Sequence, residues 1–147
     1  MTDRTGQCMC GAVTFSAKDM ADTFSICHCK MCQRWVGSAL KGVSVKTENL
    51  TVHGSKNISA FQSSEFAERA NCKICGSGLW WRLTAGKYVG NNSILIGLLD
   101  DVDGLKLSTE YFVDYKYNTV EVPEGRTQVT SAEVADIIQD FTTEDKT

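Results

Sequence analysis

Cys8-Met9-Cys10 near the start of the chain and Cys72-Lys73-Ile74-Cys75 near its middle are two closely spaced cysteine pairs. A third group, Cys27-His28-Cys29-Lys30-Met31-Cys32, lies between them. A short turn or strand can aim such neighbouring thiolates at one point. Zinc takes four ligands in a closed structural site, or three plus an open position in a reactive one. Seven cysteines divide into four and three, so the spacing predicts one site that holds the fold and one that supports chemistry.

The four outer cysteines, Cys8, Cys10, Cys72 and Cys75, are predicted to form the structural site. A Cys-x-x-Cys step suits a tight knuckle, and Gly76 after Cys75 gives that turn backbone freedom. The pair Cys8/Cys10 is predicted to lie in a strand, where residues two apart point to the same face. Zinc bound at such a site can contribute roughly 10–16 kcal/mol of apparent folding free energy.

The inner cysteines, Cys27, Cys29 and Cys32, are predicted to form a three-thiolate site with an open position. A fourth protein ligand is not obvious. If Cys27 and Cys29 share one face of a strand, the side chain of His28 points to the opposite face. His53 is a lone histidine at the end of a predicted strand. An open metal position can bind water or a thiol and lower its pKa, which makes a nucleophile at neutral pH. Three alternatives stay open: one cysteine is only a small buried residue, iron replaces zinc, or Cys29 and Cys32 form a redox disulfide.

Composition and charge limit the classes of protein to which this chain can belong. With 147 residues, of which 42% are hydrophobic and 22% charged, the chain is expected to form one soluble globular domain. It has no apolar run long enough for a membrane span, and the segment before Cys8 has no signal-peptide core. We therefore expect a reducing cytoplasm, in which cysteines bind metal rather than form disulfides. The net charge of −3 gives no reason to expect nucleic acid as a partner.

Basic residues are concentrated around the inner cysteines. Between Cys27 and Lys56, five bases face one acid, so this segment carries a charge of +4 and the rest of the chain carries −7. Three of the bases, Lys30, Arg34 and Lys41, are candidate contacts for a small anionic ligand, although ordinary surface charge would also explain them.

The remaining pattern is typical of a mainly β domain. Strands are predicted at residues 12–15, 42–45, 50–52, 78–83, 93–99, 110–113 and 119–122, with a turn at 100–104. A C-terminal helix is predicted after Thr130, where Glu133 completes a capping box and an apolar stripe runs from Val134 to Phe141. The stripe must bury against the domain or a second subunit, which leaves a homodimer open. The domain is expected to span residues 1–141, with residues 142–147 as a frayed tail.

The joint cysteine pattern resembles the glutathione-dependent formaldehyde-activating family, which includes the centromere protein V domain. The matching stretches are residues 6–15, residues 27–34 with Gly37-Ser38, and residues 69–77, with weaker similarity to about residue 125. The resemblance implies a zinc-containing fold of stacked antiparallel β-sheets arranged like a tent. It also implies that Cys8, Cys10, Cys72 and Cys75 are structural ligands, and that Cys27, Cys29 and Cys32 hold the reactive zinc.

The resemblance further implies an activity. Named members of the family add formaldehyde to glutathione to give S-hydroxymethylglutathione and are classed among carbon–sulfur lyases. For this chain it implies a zinc-dependent lyase or synthase with glutathione as co-substrate and an aldehyde as electrophile. Lys30, Arg34 and Lys41 are then candidate contacts for the carboxylates of glutathione.

Two other classes of function compete with the enzyme. A carrier of glutathione or another small thiol would use the same open zinc without turnover, so the sequence does not separate it from the enzyme. A nucleic-acid or cytoskeletal adaptor, which the centromere protein V likeness suggests, would need a basic arm. The C-terminal stretch of this chain is acidic instead.

Overall fold

The protein is described here from a computed structural model, which covers residues 1–119, 121 and 124–144, without the side chains of 140–144. These residues form eleven strands and two α-helices. The strands are β1 (Thr2–Gln7), β2 (Thr14–Met20), β3 (Thr23–Cys27), β4 (Leu40–Lys46), β5 (Leu50–His53), β6 (Ile58–Gln62), β7 (Ala67–Cys72), β8 (Gly78–Leu83), β9 (Asn91–Leu95), β10 (Lys106–Tyr111) and β11 (Thr127–Val129). The helices are α1 (Lys30–Val36) and α2 (Ser131–Glu144). Neither of these helices is long and apolar enough to cross a membrane.

The strands form two sheets. The smaller has the order β1-β2-β5, and the larger has the order β11-β10-β3-β4-β9-β8-β7-β6. Strand β10 runs parallel to both of its neighbours, and the other pairings are antiparallel. The prediction of a mainly β fold with stacked, largely antiparallel sheets and a C-terminal helix is confirmed.

The main core lies between the two sheets. Phe15, Ala17 and Met20 project from β2 and are buried against residues of the large sheet that include Val43 and Trp80. The rings of Phe15 and Trp80 meet edge to face, with centroids 6.4 Å apart and planes at 87°, which is a favoured aromatic geometry. This layer fixes how the small sheet covers one face of the large sheet.

A second, smaller apolar cluster lies apart from the main core. It contains Cys29, Cys32 and Leu40, packed against partly buried side chains that include Trp35 and Trp81. Trp80 and Trp81 are consecutive in β8 and therefore point to opposite faces of the large sheet. Trp80 therefore belongs to the main core, and Trp81 packs against the inner cysteines.

Helix α2 begins at the predicted capping box. The Glu133 N–H donates to Thr130 Oγ1 at 3.3 Å, and the Thr130 N–H donates to Glu133 Oε2 at 3.0 Å. Val134 is buried, whereas Ile137 is 39% exposed. The helix continues to Glu144, so it takes in the first three residues of the expected tail. Residues 145–147 lie outside the described part of the chain.

Several strand boundaries differ from the sequence predictions. The strand predicted at residues 93–99 ends at Leu95 and continues as a 3₁₀ turn, Ile96–Leu98, and the strand predicted at 110–113 is the end of β10. Strands β1, β6, β7 and β11, helix α1, and all of β3 before Cys27 were not predicted. For the strand predicted at residues 119–122, Thr119 lies in a turn, and residues 120 and 122 lie outside the described residues.

Candidate metal sites

The four outer cysteines meet in one cluster. The sulfur atoms of Cys8, Cys10, Cys72 and Cys75 all lie within 4.8 Å of one another. The Sγ of Cys10 lies 3.6 Å from that of Cys8 and 3.9 Å from that of Cys72. Four sulfurs around zinc at about 2.3 Å lie about 3.8 Å from each other in a tetrahedron. The spacing therefore fits one zinc ion held by four thiolates.

Cys8 and Cys10 are positioned by a turn and not by a strand. Cys8 and Cys10 follow the end of β1 and lie in a turn, where the Gly11 N–H donates to the Cys8 carbonyl at 3.1 Å. The expectation that this pair shares one face of a strand is therefore wrong. The turn brings the sulfurs of Cys8 and Cys10 to 3.6 Å from each other, whereas same-face positions of a strand are about 6.6–6.8 Å apart along the backbone.

The second knuckle begins at Cys72, the last residue of β7, and agrees with the prediction for Cys-x-x-Cys. The Gly76 N–H donates to the Cys72 carbonyl at 2.9 Å, and Gly76 has a φ of 78°, which glycine adopts without strain. Hydrogen bonds of Cys75 with the side chain and backbone of Ser77 lower the pKa of the Cys75 thiol to about 5. The Ser77 hydroxyl also accepts from the Met9 N–H at 3.1 Å, so this residue ties the two knuckles together.

The three inner cysteines also meet in one cluster. The sulfur atoms of Cys27, Cys29 and Cys32 lie within 4.8 Å of one another. Cys27 is the last residue of β3, Cys29 caps helix α1, and Cys32 lies in its first turn. The expectation that Cys27 and Cys29 lie in one strand is wrong, because the chain changes from strand to helix between them. The change of direction is what brings three sulfurs of a six-residue segment to one place.

Local hydrogen bonds explain why helix α1 forms here. The Cys29 sulfur accepts from the Cys32 N–H at 3.3 Å, which satisfies a donor at the start of the helix. The helix ends at Gly37, whose φ of 78° is left-handed and whose N–H donates to the Gln33 carbonyl at 2.9 Å. The buried Gln33 side chain donates to the carbonyls of His28 and Tyr115, at 2.6 and 3.0 Å. These contacts hold the start of α1 against the domain.

Hydrogen bonds within the inner cluster give its thiols different pKa values. The pKa of the Cys29 thiol is lowered to about 2, first by its hydrogen bonds with Cys27 and Cys32 and also by the positive charge of Arg69. The pKa of Cys27 is raised, because its thiol is the hydrogen-bonded partner of Cys29 and is buried. The cluster therefore ionises first at Cys29, which caps the helix.

His28 does not belong to the inner cluster. Its Nε2 lies 2.8 Å from Oε1 of Glu110, a side chain that is fully buried. Arg126 donates to the same carboxylate at 2.6 Å, and Lys116 lies 3.5 Å from it. Burial opposes ionisation of Glu110, but its contacts with Arg126 and His28 outweigh burial and hold its pKa at about 2. Gln128 of β11 also donates to this carboxylate at 3.2 Å, so the network fastens the segment that carries Cys27 and Cys29 to β10 and β11.

Arg69 is the basic residue beside the inner cluster that the sequence analysis missed. It projects from β7, is 9% exposed, and its Nη2 donates to Cys32 Sγ at 3.6 Å. The guanidinium carbon lies 5.0 Å from the centroid of the Trp35 ring, within the range of a cation–π contact. The only signal in the sequence was its place in a stretch that resembles the formaldehyde-activating family.

The three bases that the sequence analysis selected lie on the surface. Lys30 and Arg34 are exposed on α1, and Lys41 is exposed on β4. Lys30 donates to the Gln33 side chain at 3.2 Å. Within the described residues Arg69, rather than any of these three, is the basic side chain that donates to a sulfur of the inner cluster.

Both cysteine clusters have the donor chemistry of soft divalent metal sites. The outer cluster has four thiols, and the inner cluster has three, with no fourth Cys, His, Asp or Glu grouped with them among the described residues. All seven cysteines are free thiols. The residues of the inner cluster fit a zinc ion that keeps one open position, because three protein ligands are the usual number in reactive zinc sites.

Comparison with known proteins decides the family. The profile of the glutathione-dependent formaldehyde-activating enzymes matches residues 3–115. The chain belongs to this family. An uncharacterized lyase of Schizosaccharomyces pombe is 36% identical to it over 87 residues, which cover 59% of this chain and 63% of the length of that relative.

A solved structure shares the fold of this member of the formaldehyde-activating family. The crystal structure of a Rhodobacter sphaeroides protein aligns with a TM-score of 0.56 and covers 71% of this chain and 99% of that one. The sequence identity is 21%, so this likeness bears on the fold alone.

Proposed function

We propose that the protein is a zinc-dependent carbon–sulfur lyase or synthase that acts on a glutathione adduct, and that it forms S-hydroxymethylglutathione from formaldehyde and glutathione. The observation that carries the proposal is the cluster of Cys27, Cys29 and Cys32, a three-thiol site in a member of the formaldehyde-activating family. The lyase name of the Schizosaccharomyces pombe relative supports the same class of reaction.

The proposed reaction joins a thiol to an aldehyde. A zinc ion held by Cys27, Cys29 and Cys32 would supply a Lewis acid with one open position. The glutathione sulfur bonds to the carbonyl carbon, the C=O π bond breaks, the thiol proton leaves to solvent, and the oxygen takes up a proton. No oxidant or reductant is required, since the product contains all the atoms of both reactants.

The role of the chain is to bind and orient the reactants. The partly buried Trp35, Trp81 and Phe112 pack around the inner cysteines and would exclude water from the reacting sulfur. The exposed Lys30 and Arg34 are proposed to bind the carboxylates of glutathione, together with Lys41 on β4. The four outer cysteines are proposed to hold a second zinc with a purely structural role.

We propose that the protein acts in the cytoplasm. Its substrates there are small molecules, a thiol and an aldehyde. All seven cysteines are free, which suits a reducing compartment.

The test is the rate of adduct formation above the spontaneous rate. Formaldehyde and glutathione are mixed with the zinc-loaded protein, with Cys29→Ser, and with Met31→Leu as a control at an exposed position of the same helix. We expect acceleration by the wild type and by Met31→Leu, and none by Cys29→Ser. Elemental analysis should give two zinc ions per chain in the wild type and about one in Cys29→Ser.

Two results would count against the enzyme. Glutathione binding that depends on Cys29 without any acceleration would favour the thiol carrier. If the protein holds two zinc ions but neither binds glutathione nor accelerates the reaction, glutathione is excluded as the substrate.

A combined substitution of Lys30, Arg34 and Lys41 by glutamine is expected to raise the KM for glutathione several-fold with little change in kcat, because these bases lie outside the thiol cluster.

A further inference from the structure

Among the side chains that the structure describes, Arg69 has no acidic partner, although it is a buried cation. Its side chain is 9% exposed, and two of its donor atoms, Nε and Nη1, are buried without a hydrogen-bond partner. The ion pairs found among the described residues involve other groups. An uncompensated charge in a protein interior is strongly destabilising, so a buried guanidinium requires a counter-charge close to it.

The inner cysteines are the groups that can supply this counter-charge. Arg69 Nη2 donates to Cys32 Sγ at 3.6 Å, and the Arg69 charge acts on Cys29 as well as on Cys32. Three thiolates around a divalent ion leave a net charge of −1, and the guanidinium brings the total to zero. With a monovalent ion the same assembly would keep a charge of −1 in a buried place.

The packing around Arg69 holds the guanidinium in this position. Its carbon lies 5.0 Å from the centroid of the Trp35 ring, which belongs to helix α1, the helix that Cys29 caps. Trp35 in turn lies against Gly78, where an added Cβ would come 3.3 Å from the ring. The small residue at position 78 therefore leaves the space that the tryptophan fills.

We propose that Arg69 is a positioning residue of the inner cluster: it holds Cys32 by an N–H···S hydrogen bond and balances the charge of the site when a divalent metal is bound. This inference rests on the proposed metal site and adds a specific residue to it. Arg69 precedes Cys72 by three residues in β7, so the strand that orients this cation ends in the outer cluster.

The test compares metal affinities at the two clusters of one protein. Wild type, Arg69→Met and Arg69→Lys are loaded with zinc and titrated with a competing chelator, and the cobalt-substituted proteins report thiolate coordination by their absorption spectra. Arg82→Met is the matched control, because Arg82 lies in the neighbouring strand β8 but is 43% exposed and pairs with Glu68. The outer cluster serves as the reference for folding within each variant.

We expect Arg69→Met to weaken metal binding at the inner cluster by about 10- to 100-fold, as is typical when a group that orients a metal ligand is removed. The outer cluster and the Arg82→Met control should be unchanged. Arg69→Lys, which keeps the charge, should recover much of the affinity. If Arg69→Met loses metal from both clusters, Arg69→Gln, which is polar but uncharged, replaces it with the same expectation.

Two results would overturn the proposal. One is unchanged affinity at the inner cluster in a folded Arg69→Met or Arg69→Gln protein. The other is equal loss in Arg69→Lys and Arg69→Met, because packing rather than charge would then be the cause. A wild-type protein that binds metal only at the outer cluster would instead refute the proposed metal site itself, and this outcome is distinct from both.

Discussion

Replacing Cys72 by serine should unfold the domain, whereas replacing Cys29 should leave it folded. Cys72 is fully buried in the main core between the sheets, and its sulfur lies 3.9 Å from that of Cys10. A four-thiolate zinc contributes roughly 10–16 kcal/mol to folding, while the net stability of a domain is about 5–15 kcal/mol. Loss of the proposed outer zinc would therefore remove as much free energy as the whole net stability of the domain.

Cys29→Ser is the matched variant, since it makes the same atomic change in the other cluster. Cys29 belongs to the smaller apolar cluster and not to the main core, so we expect a cost of about 1–3 kcal/mol, in the range of ordinary point mutations. Urea unfolding followed by tryptophan fluorescence and far-UV circular dichroism measures both variants, and zinc per chain is determined on the same samples. Equal losses of stability in the two variants would refute the division into a structural and a reactive site.

Three further changes test other parts of the structure by urea unfolding. Glu110→Gln should cost about 3 kcal/mol at neutral pH, because a pKa of about 2 instead of 4.5 stabilises the fold above pH 4.5. This contribution is lost as the pH falls towards 2, so a wild-type advantage that stayed constant with pH would contradict the assignment. Thr130→Ala should cost about 1 kcal/mol through the loss of the cap that accepts from the Glu133 N–H; an unchanged stability would show that the cap is not needed. Gly54→Ala should destabilise by about 1–3 kcal/mol, because its φ is 78° and an added Cβ would lie 2.0 Å from the Ala12 carbonyl oxygen. Wild-type stability in Gly54→Ala would mean that this turn relaxes at little cost.

Local patterns in the sequence predicted the parts of the fold that depend on neighbouring residues. The strand at Gly78–Leu83 and the capping box of α2 have the predicted positions, because alternation and capping are set by residues a few places apart. Helix α1 was not predicted. It has only seven residues, and its N-cap is a cysteine, which is not among the residues that usually mark a helix start.

The side chains that contact the inner cluster could not be predicted from the sequence. Lys30, Arg34 and Lys41 were selected because they are near the cysteines in sequence, yet they lie on the surface. Arg69 is 37 residues away from Cys32 in sequence and donates to its sulfur. Glu110 is 82 residues from His28 and lies 2.8 Å from its ring. Pairing of β3 with β10 brings His28 near Glu110, whereas Arg69 lies on β7, which β4, β9 and β8 separate from β3 in the large sheet. Both contacts depend on the assembled sheet, and no local pattern encodes it.

The sequence alone determined that the cysteines divide into four and three, that the domain is mainly β, and which family it resembles. Short-range spacing carries this information, because the reach of a turn limits which sulfurs can meet at one metal. Only the tertiary structure decided which further side chains surround each group. It placed Cys8 and Cys72 in the main core, put the inner cysteines where a strand becomes a helix, and brought Arg69 to them across the large sheet. The physical reason is that burial and charge compensation depend on contacts between distant strands, which form only when the sheets have assembled.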